Sequence, residues 1–155
     1  MQGSPAILDA LNALLADELA ARDQYFAHSR RLEDLGLQRI AARLAHEVDD
    51  ETSHADALVQ RILMLGGAPR MVPSAVNIAT DVPAIFENDL AVEMRVITHV
   101  RAAMALAESE RDYVTRNILL PLLKDTEEDH AHWLEQQLRL IGLVGLQNYL
   151  QRQMA

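Results

Sequence analysis

The chain has 155 residues, no cysteine and a formal charge of -9; half of it is hydrophobic, yet only 4% is aromatic. That length suits one domain over residues 1–155 with a core that needs no staple, and the missing cysteines exclude disulfides and thiolate-bound metal. The acidic balance argues against nucleic acid or an anionic membrane as partner. With no basic leader and no apolar stretch of spanning length, a cytoplasmic protein is expected.

Read in chain order, the sequence predicts four long helices and a short one, an all-α fold. Ser4 and Pro5 form a start signal: serine suits the N-cap, and proline suits the first turn, where its missing N–H costs nothing. The first helix then runs to about Leu35 and stops at Gly36; the second spans about Gln38 to Leu65, ended by Gly66, Gly67 and Pro69. Residues 67–82 hold Pro69, Pro73 and Asn77 without helical period, so they form a long crossover. Asp81 caps the third helix, with Pro83 just inside it. Helices three and four meet around Ser109 to Tyr113. Gly142 and Gly145 close the fourth, leaving 146–153 as the short fifth. Pro121 lies inside the fourth helix, and a distortion is expected one to two turns before Glu127.

The apolar phase can be followed residue by residue. The second helix gives Ile40, Leu44, Glu47, Glu51, His54, Leu58, Ile62 and Leu65, always three or four apart. The first gives Leu11, Leu14, Glu18, Ala21 and Tyr25; the third Phe86, Leu90, Glu93, Ile97, Val100, Met104 and Ala107. The fourth gives Leu120, Leu123, Glu127, His130, Leu134, Leu138 and Ile141. In each stripe the Glu and His positions are expected to face the core.

Those polar positions form a pattern: Glu51-Thr52-Ser53-His54 and Glu127-Glu128-Asp129-His130 are both Glu-x-x-His, each preceded by a single glutamate, Glu18 and Glu93. Residues i and i+3 share a helix face, so each string offers a carboxylate and an imidazole to one point. Two strings and two single glutamates make the ligand set of a two-metal carboxylate site, and two divalent ions would balance four carboxylates and two neutral imidazoles. Oxygen and imidazole ligands without thiolate suit iron or manganese. Tyr25 is two turns beyond Glu18, within reach of a ligand. Glu47 is one turn before Glu51, and His28, His99 and His132 are expected at the surface or at interfaces.

These residues resemble a bacterioferritin over nearly the whole chain. The resembling strings include Asp23-Gln24-Tyr25-Phe26, Asp50-Glu51, Ser53-His54-Ala55-Asp56, Asp89-Leu90-Ala91-Val92-Glu93 and Gly145-Leu146-Gln147-Asn148-Tyr149-Leu150. The resemblance implies a ferritin-like four-helix bundle and a hollow shell of twenty-four subunits storing ferric mineral, with two irons in every bundle. By position it implies that Glu18 and His54 hold one iron, Glu93 and His130 the other, and that Glu51 and Glu127 bridge them. It further implies an accessory iron at His46 and Asp50, near Glu47, pore-lining Asn148 and Gln151, and a ferredoxin as reductant of the mineral.

The departure is at Thr52, where the family carries the methionine that ligates haem b between paired subunits. A hard oxygen on a short side chain does not replace a thioether, and Arg22, Asp23 and Asp49 put charge where the ring would need apolar walls. Haem binding by this chain alone is not expected. The expected function is iron storage with ferroxidase activity, in a homo-oligomer or with a second, haem-bearing bacterioferritin subunit. The same ligand set also supports a rubrerythrin-like peroxidase or a manganese catalase.

Overall fold

The computed structural model describes residues 1–155 and contains six α-helices and one π-helical segment. Helix α1, Pro5–Asp34, opens at Ser4, whose hydroxyl accepts the Ile7 N–H at 3.2 Å. It ends at a turn through Gly36, whose φ of +80° lies in the left-handed region that favours glycine. Helix α2 is Gln38–Met64, and α3 is Val82–Ser109, capped by Asp81 accepting the Ala84 N–H at 3.0 Å. Helix α4, Tyr113–Lys124, is capped by Asp112 and runs without a break into a π-helical segment, Asp125–Ala131, and then into α5, His132–Val144. Gly142 does not end this last helix. The turn falls at Gly145 alone, and α6 follows as Leu146–Gln153.

Backbone bonds fix the topology. Gly3 N–H donates to Leu65 O at 2.7 Å, so the end of α2 returns to the start of α1, and the two are antiparallel. From there the crossover runs along the length of α1. Arg70 N–H bonds Asn12 Oδ1, Ser74 N–H bonds Ala16 O, Asn77 N–H bonds Gln24 Oε1 and Ala79 N–H bonds His28 Nε2. It delivers α3 at the far end of α1, so α3 runs parallel to α2, the arrangement of a bundle with one long crossover. Helix α1 packs on α2 and α3, and α3 packs on the continuous rod of α4, the π segment and α5.

The core is in two parts. One cluster joins Leu11, Leu15, Leu58, Ile62, Val96, Val100, Leu119 and Leu122; the other joins Tyr25, Leu32, Leu44, Ile85, Phe86, Leu134 and Tyr149. Glu51 and His130 lie between these sets along their helices, Glu18 and Glu93 lie within the edge of the first that faces the second, and all four are buried. The bundle therefore has an apolar half at each end and a polar waist.

Two expectations are corrected here. Pro121 sits inside α4 without breaking it, and the distortion follows it, as the π segment that contains Glu127 and His130. A π turn takes up an extra residue, so the buried stripe changes phase. Thr115, Leu119, Leu122, Thr126, His130, Ala131 and Leu134 are the buried positions, while Leu120 is 49% exposed and Glu127 is only half-buried. His28 is not at the surface: it is fully buried, its Nδ1 2.8 Å from Asp89 Oδ1, which also accepts from Gln24 Nε2 at 2.8 Å. His99 and His132 are exposed as expected.

Candidate metal centre

Two triads of buried ligand-type side chains meet at the waist: Glu18, Glu51 and His54, and Glu51, Glu93 and His130. Within each, the ligand atoms lie within 4.8 Å of one another. Helical spacing produces this arrangement, because Glu51 and His54 are i and i+3 on α2 and share its buried face. His54 Nδ1 is 3.3 Å from Glu51 Oε2 and 3.5 Å from Glu18 Oε2. His130 Nδ1 is 3.0 Å from Glu51 Oε1 and 3.3 Å from Glu93 Oε1. Glu51 thus belongs to both triads, one oxygen to each, and the two imidazoles stack with centroids 5.8 Å apart.

The other ring nitrogens point outward to carboxylates. His54 Nε2 is 3.0 Å from Asp125 Oδ2, and His130 Nε2 is 2.8 Å from Glu47 Oε2 and 3.3 Å from Asp50 Oδ2. A carboxylate accepting the outer N–H fixes the tautomer and leaves Nδ1 free as a ligand. The Tyr25 hydroxyl donates a short hydrogen bond to Glu93 Oε1 and so holds that carboxylate.

Both oxygens of Glu18, Glu51 Oε1, Glu93 Oε2 and the Nδ1 atoms of His54 and His130 are buried without an aligned hydrogen-bond partner. Six such atoms at one point are costly unless a charge of opposite sign sits among them. Protons carry that charge in the metal-free chain. Burial and then the neighbouring Glu51 raise the Glu18 carboxyl well above its ordinary range. Burial alone would lower the His54 imidazole, but the Glu18 and Glu51 carboxylates outweigh it and push the group up to about 11. His130 is driven up likewise, against burial, by Glu47, Glu51 and Glu93. Burial, then Glu93, Asp89 and Glu51, raises the Tyr25 hydroxyl. Divalent ions would supply the same charge, and this donor set fits them.

Of the six ligands expected from the sequence, the structure gathers Glu18, Glu51, His54, Glu93 and His130. Glu127 is not among them. The π segment turns it aside, and its Oε1 takes Arg101 Nε at 3.1 Å and Nη2 at 2.5 Å. Of the accessory residues, Glu47 and Asp50 meet beside His130, while His46 is exposed and lies 3.5 Å from Asp50, outside that group. Asp125, Asp129 and Arg43 also surround the site and were not expected there. Asp129 lies inside the second Glu-x-x-His string and Asp125 two residues before it, which was their only signal. Thr52 is exposed, and its hydroxyl donates to Val48 O at 2.7 Å.

Against known proteins, a model described as a ferritin-like domain matches residues 8–144. The chain is 54% identical over 153 residues to a bacterial ferritin of Pseudomonas aeruginosa, covering 99% of both chains. It is 51% identical over 154 residues to a bacterial ferritin of Neisseria meningitidis serogroup B, covering 99% of this chain and all of that one. A bacterioferritin of Mycobacterium leprae is 35% identical over 150 residues, covering 96% and 94%. With a bundle of this topology around a buried carboxylate and imidazole waist, the chain belongs to the ferritin-like family, among proteins named bacterial ferritin and bacterioferritin.

Proposed function

We propose that this chain stores iron and oxidises it, as a cytoplasmic ferroxidase with two irons per bundle. The observation that carries the reading is Glu51, whose two oxygens face the imidazoles of two separate buried triads. A shared carboxylate fits a pair of ions, and carboxylate with imidazole and no thiolate favours iron or manganese; membership of the ferritin-like family favours iron. Fe(II) is the substrate: each of two ions gives up one electron, dioxygen or peroxide takes the pair, and ferric product passes to mineral.

The chain's own residues prepare that step. Asp125 and Glu47 orient the imidazoles, Tyr25 positions Glu93, and the raised groups give up their protons as metal arrives. Glu127, turned inward, would complete the charge balance. Haem does not fit the residues present, since Thr52 offers no thioether and its hydroxyl is already engaged, while Arg22 and Asp23 pair with each other at 3.2 Å. The proposed state is a closed shell of copies of this chain, alone or with a methionine-bearing second subunit, with a ferredoxin as external reductant. The exposed Leu143, Val144 and Leu146 beside α6 support burial against other copies.

Addition of Fe(II) to the aerated protein should give a fast absorbance rise. Glu51→Ala should abolish it with helical content intact. Equally fast oxidation by a folded Glu51→Ala protein overturns the reading.

A further inference from the structure

Beyond the two triads, a third group of ligand-type side chains lies on the outer side of His130. It comprises Glu47, Asp50, Asp129 and the imidazole itself, with ligand atoms within 4.8 Å of one another. Glu47 is 1% exposed, and neither of its oxygens has an aligned hydrogen bond. A buried carboxylate of this kind demands a cation, and the chain supplies one. Arg43 Nε is 2.6 Å from Glu47 Oε1, and its Nη2 is 2.7 Å from Asp129 Oδ1. The guanidinium also lies over the Trp133 ring, 5.1 Å from its centroid. Two carboxylates and an aromatic face fix the planar group as they could not fix a flexible ammonium.

We propose that Arg43 takes the place of an accessory metal ion at the Glu47, Asp50 and Asp129 cluster and confines metal binding to the two triads around Glu51. The argument is one of charge and of the His130 tautomer. With the guanidinium present, Glu47 stays 2.8 Å from His130 Nε2 as a counter-charge and Asp50 stays its hydrogen-bond partner at 3.3 Å, which leaves Nδ1 for the shared centre. An ion in the cluster would compete for those carboxylates and for Nε2 itself. Without Arg43, three carboxylates would face one another with no fixed counter-charge, and a divalent ion would be the natural replacement. The accessory iron expected at His46, Glu47 and Asp50 is thereby excluded in this chain.

The inference rests on the reading of the shared centre, and one set of titrations separates the two. The assembled wild-type protein, dialysed anaerobically against Co(II), should bind about two ions per chain. Arg43→Val should bind about three, and Arg43→Val with Glu47→Gln should return to about two. If Arg43→Val does not assemble, Arg43→Gln, which keeps the length and removes the charge, carries the same count. Wild type binding no Co(II) defeats the shared centre itself. Three ions in wild type, or two in both charge-removing variants, leaves the centre standing and overturns the role of Arg43.

Discussion

Arg101 and Glu127 form a forked ion pair at the edge of the metal centre, Nε and Nη2 of one sharing Oε1 of the other at 3.1 and 2.5 Å. The pair holds the sixth ligand-type residue out of the bundle. Metal binding that uses Glu127 must break it, so Arg101 opposes loading by the strength of the pair. Arg101 is largely exposed, and exposed pairs are weak. Arg101→Gln should therefore tighten anaerobic Co(II) binding by about two- to five-fold. In a Glu127→Ala background the same change should do nothing. A general effect of removing positive charge would persist there, so a double-mutant cycle distinguishes the two.

Loading should release protons. Burial and then Glu51 favour the protonated form of Glu18, and the carboxylates around His54 and His130 favour their charged imidazoles. Divalent ions replace those protons, so about two to three protons per chain should appear in a weakly buffered anaerobic titration at pH 7. Because Glu18 and Glu51 push His54 up to about 11 against burial, lowering the pH only strengthens the competitor, and metal affinity should fall steadily from about pH 8 to 6. Affinity independent of pH, with no protons released, contradicts the charge-replacement account.

How much of this was legible in the sequence depended on whether helical spacing stayed regular. Helix α2 keeps intervals of three and four from Ile40 to Leu65, and every residue read on its stripe, Glu51 and His54 included, is buried. The rod from α4 to α5 broke the rule. Counting back from His130 at the α-helical interval gave Glu127, Leu123 and Leu120, whereas the π segment gives the buried face to Thr126, Leu122 and Leu119. His28 was readable and misjudged: it follows Ala21 and Tyr25 on the buried stripe, but its partner Asp89 lies 61 residues away. Arg101 had no local signal, since it meets Glu127 only across the bundle; Arg43 had one carboxylate in helical register, Glu47 at i+4, but meets its second, Asp129, only across the bundle.

The Gln24, His28 and Asp89 network ties α1, α3 and the crossover together through Ala79 and Asn77. Asp89→Ala removes the acceptor common to both side chains and strands them in the core. It should cost about 3 kcal/mol, read as a lower denaturation midpoint at unchanged slope. Proteolysis should then cut first in the crossover. A loss below about 0.5 kcal/mol would mean that the network is incidental.

Thr52→Met alone should recover little haem. It supplies a thioether, yet Arg22, Asp23 and Asp49 remain to be buried against the ring, and desolvating them opposes binding. Expressed with ample haem, wild type and Thr52→Met should both show a negligible Soret band per chain while retaining fast Fe(II) oxidation. Wild-type protein carrying about one haem per two chains would show that another group ligates it.

The central claim is that Glu51 serves two metal ions at once, because its Oε2 and Oε1 face His54 and His130 in different triads. The measurement that tests it most directly is the anaerobic stoichiometry of Fe(II) binding to wild type, Glu18→Ala and Glu51→Ala. Wild type should saturate at about two ions per chain, Glu18→Ala should keep about one, and Glu51→Ala should lose both tight sites. A folded Glu51→Ala protein that still binds two, or that loses only one as Glu18→Ala does, would contradict a shared carboxylate.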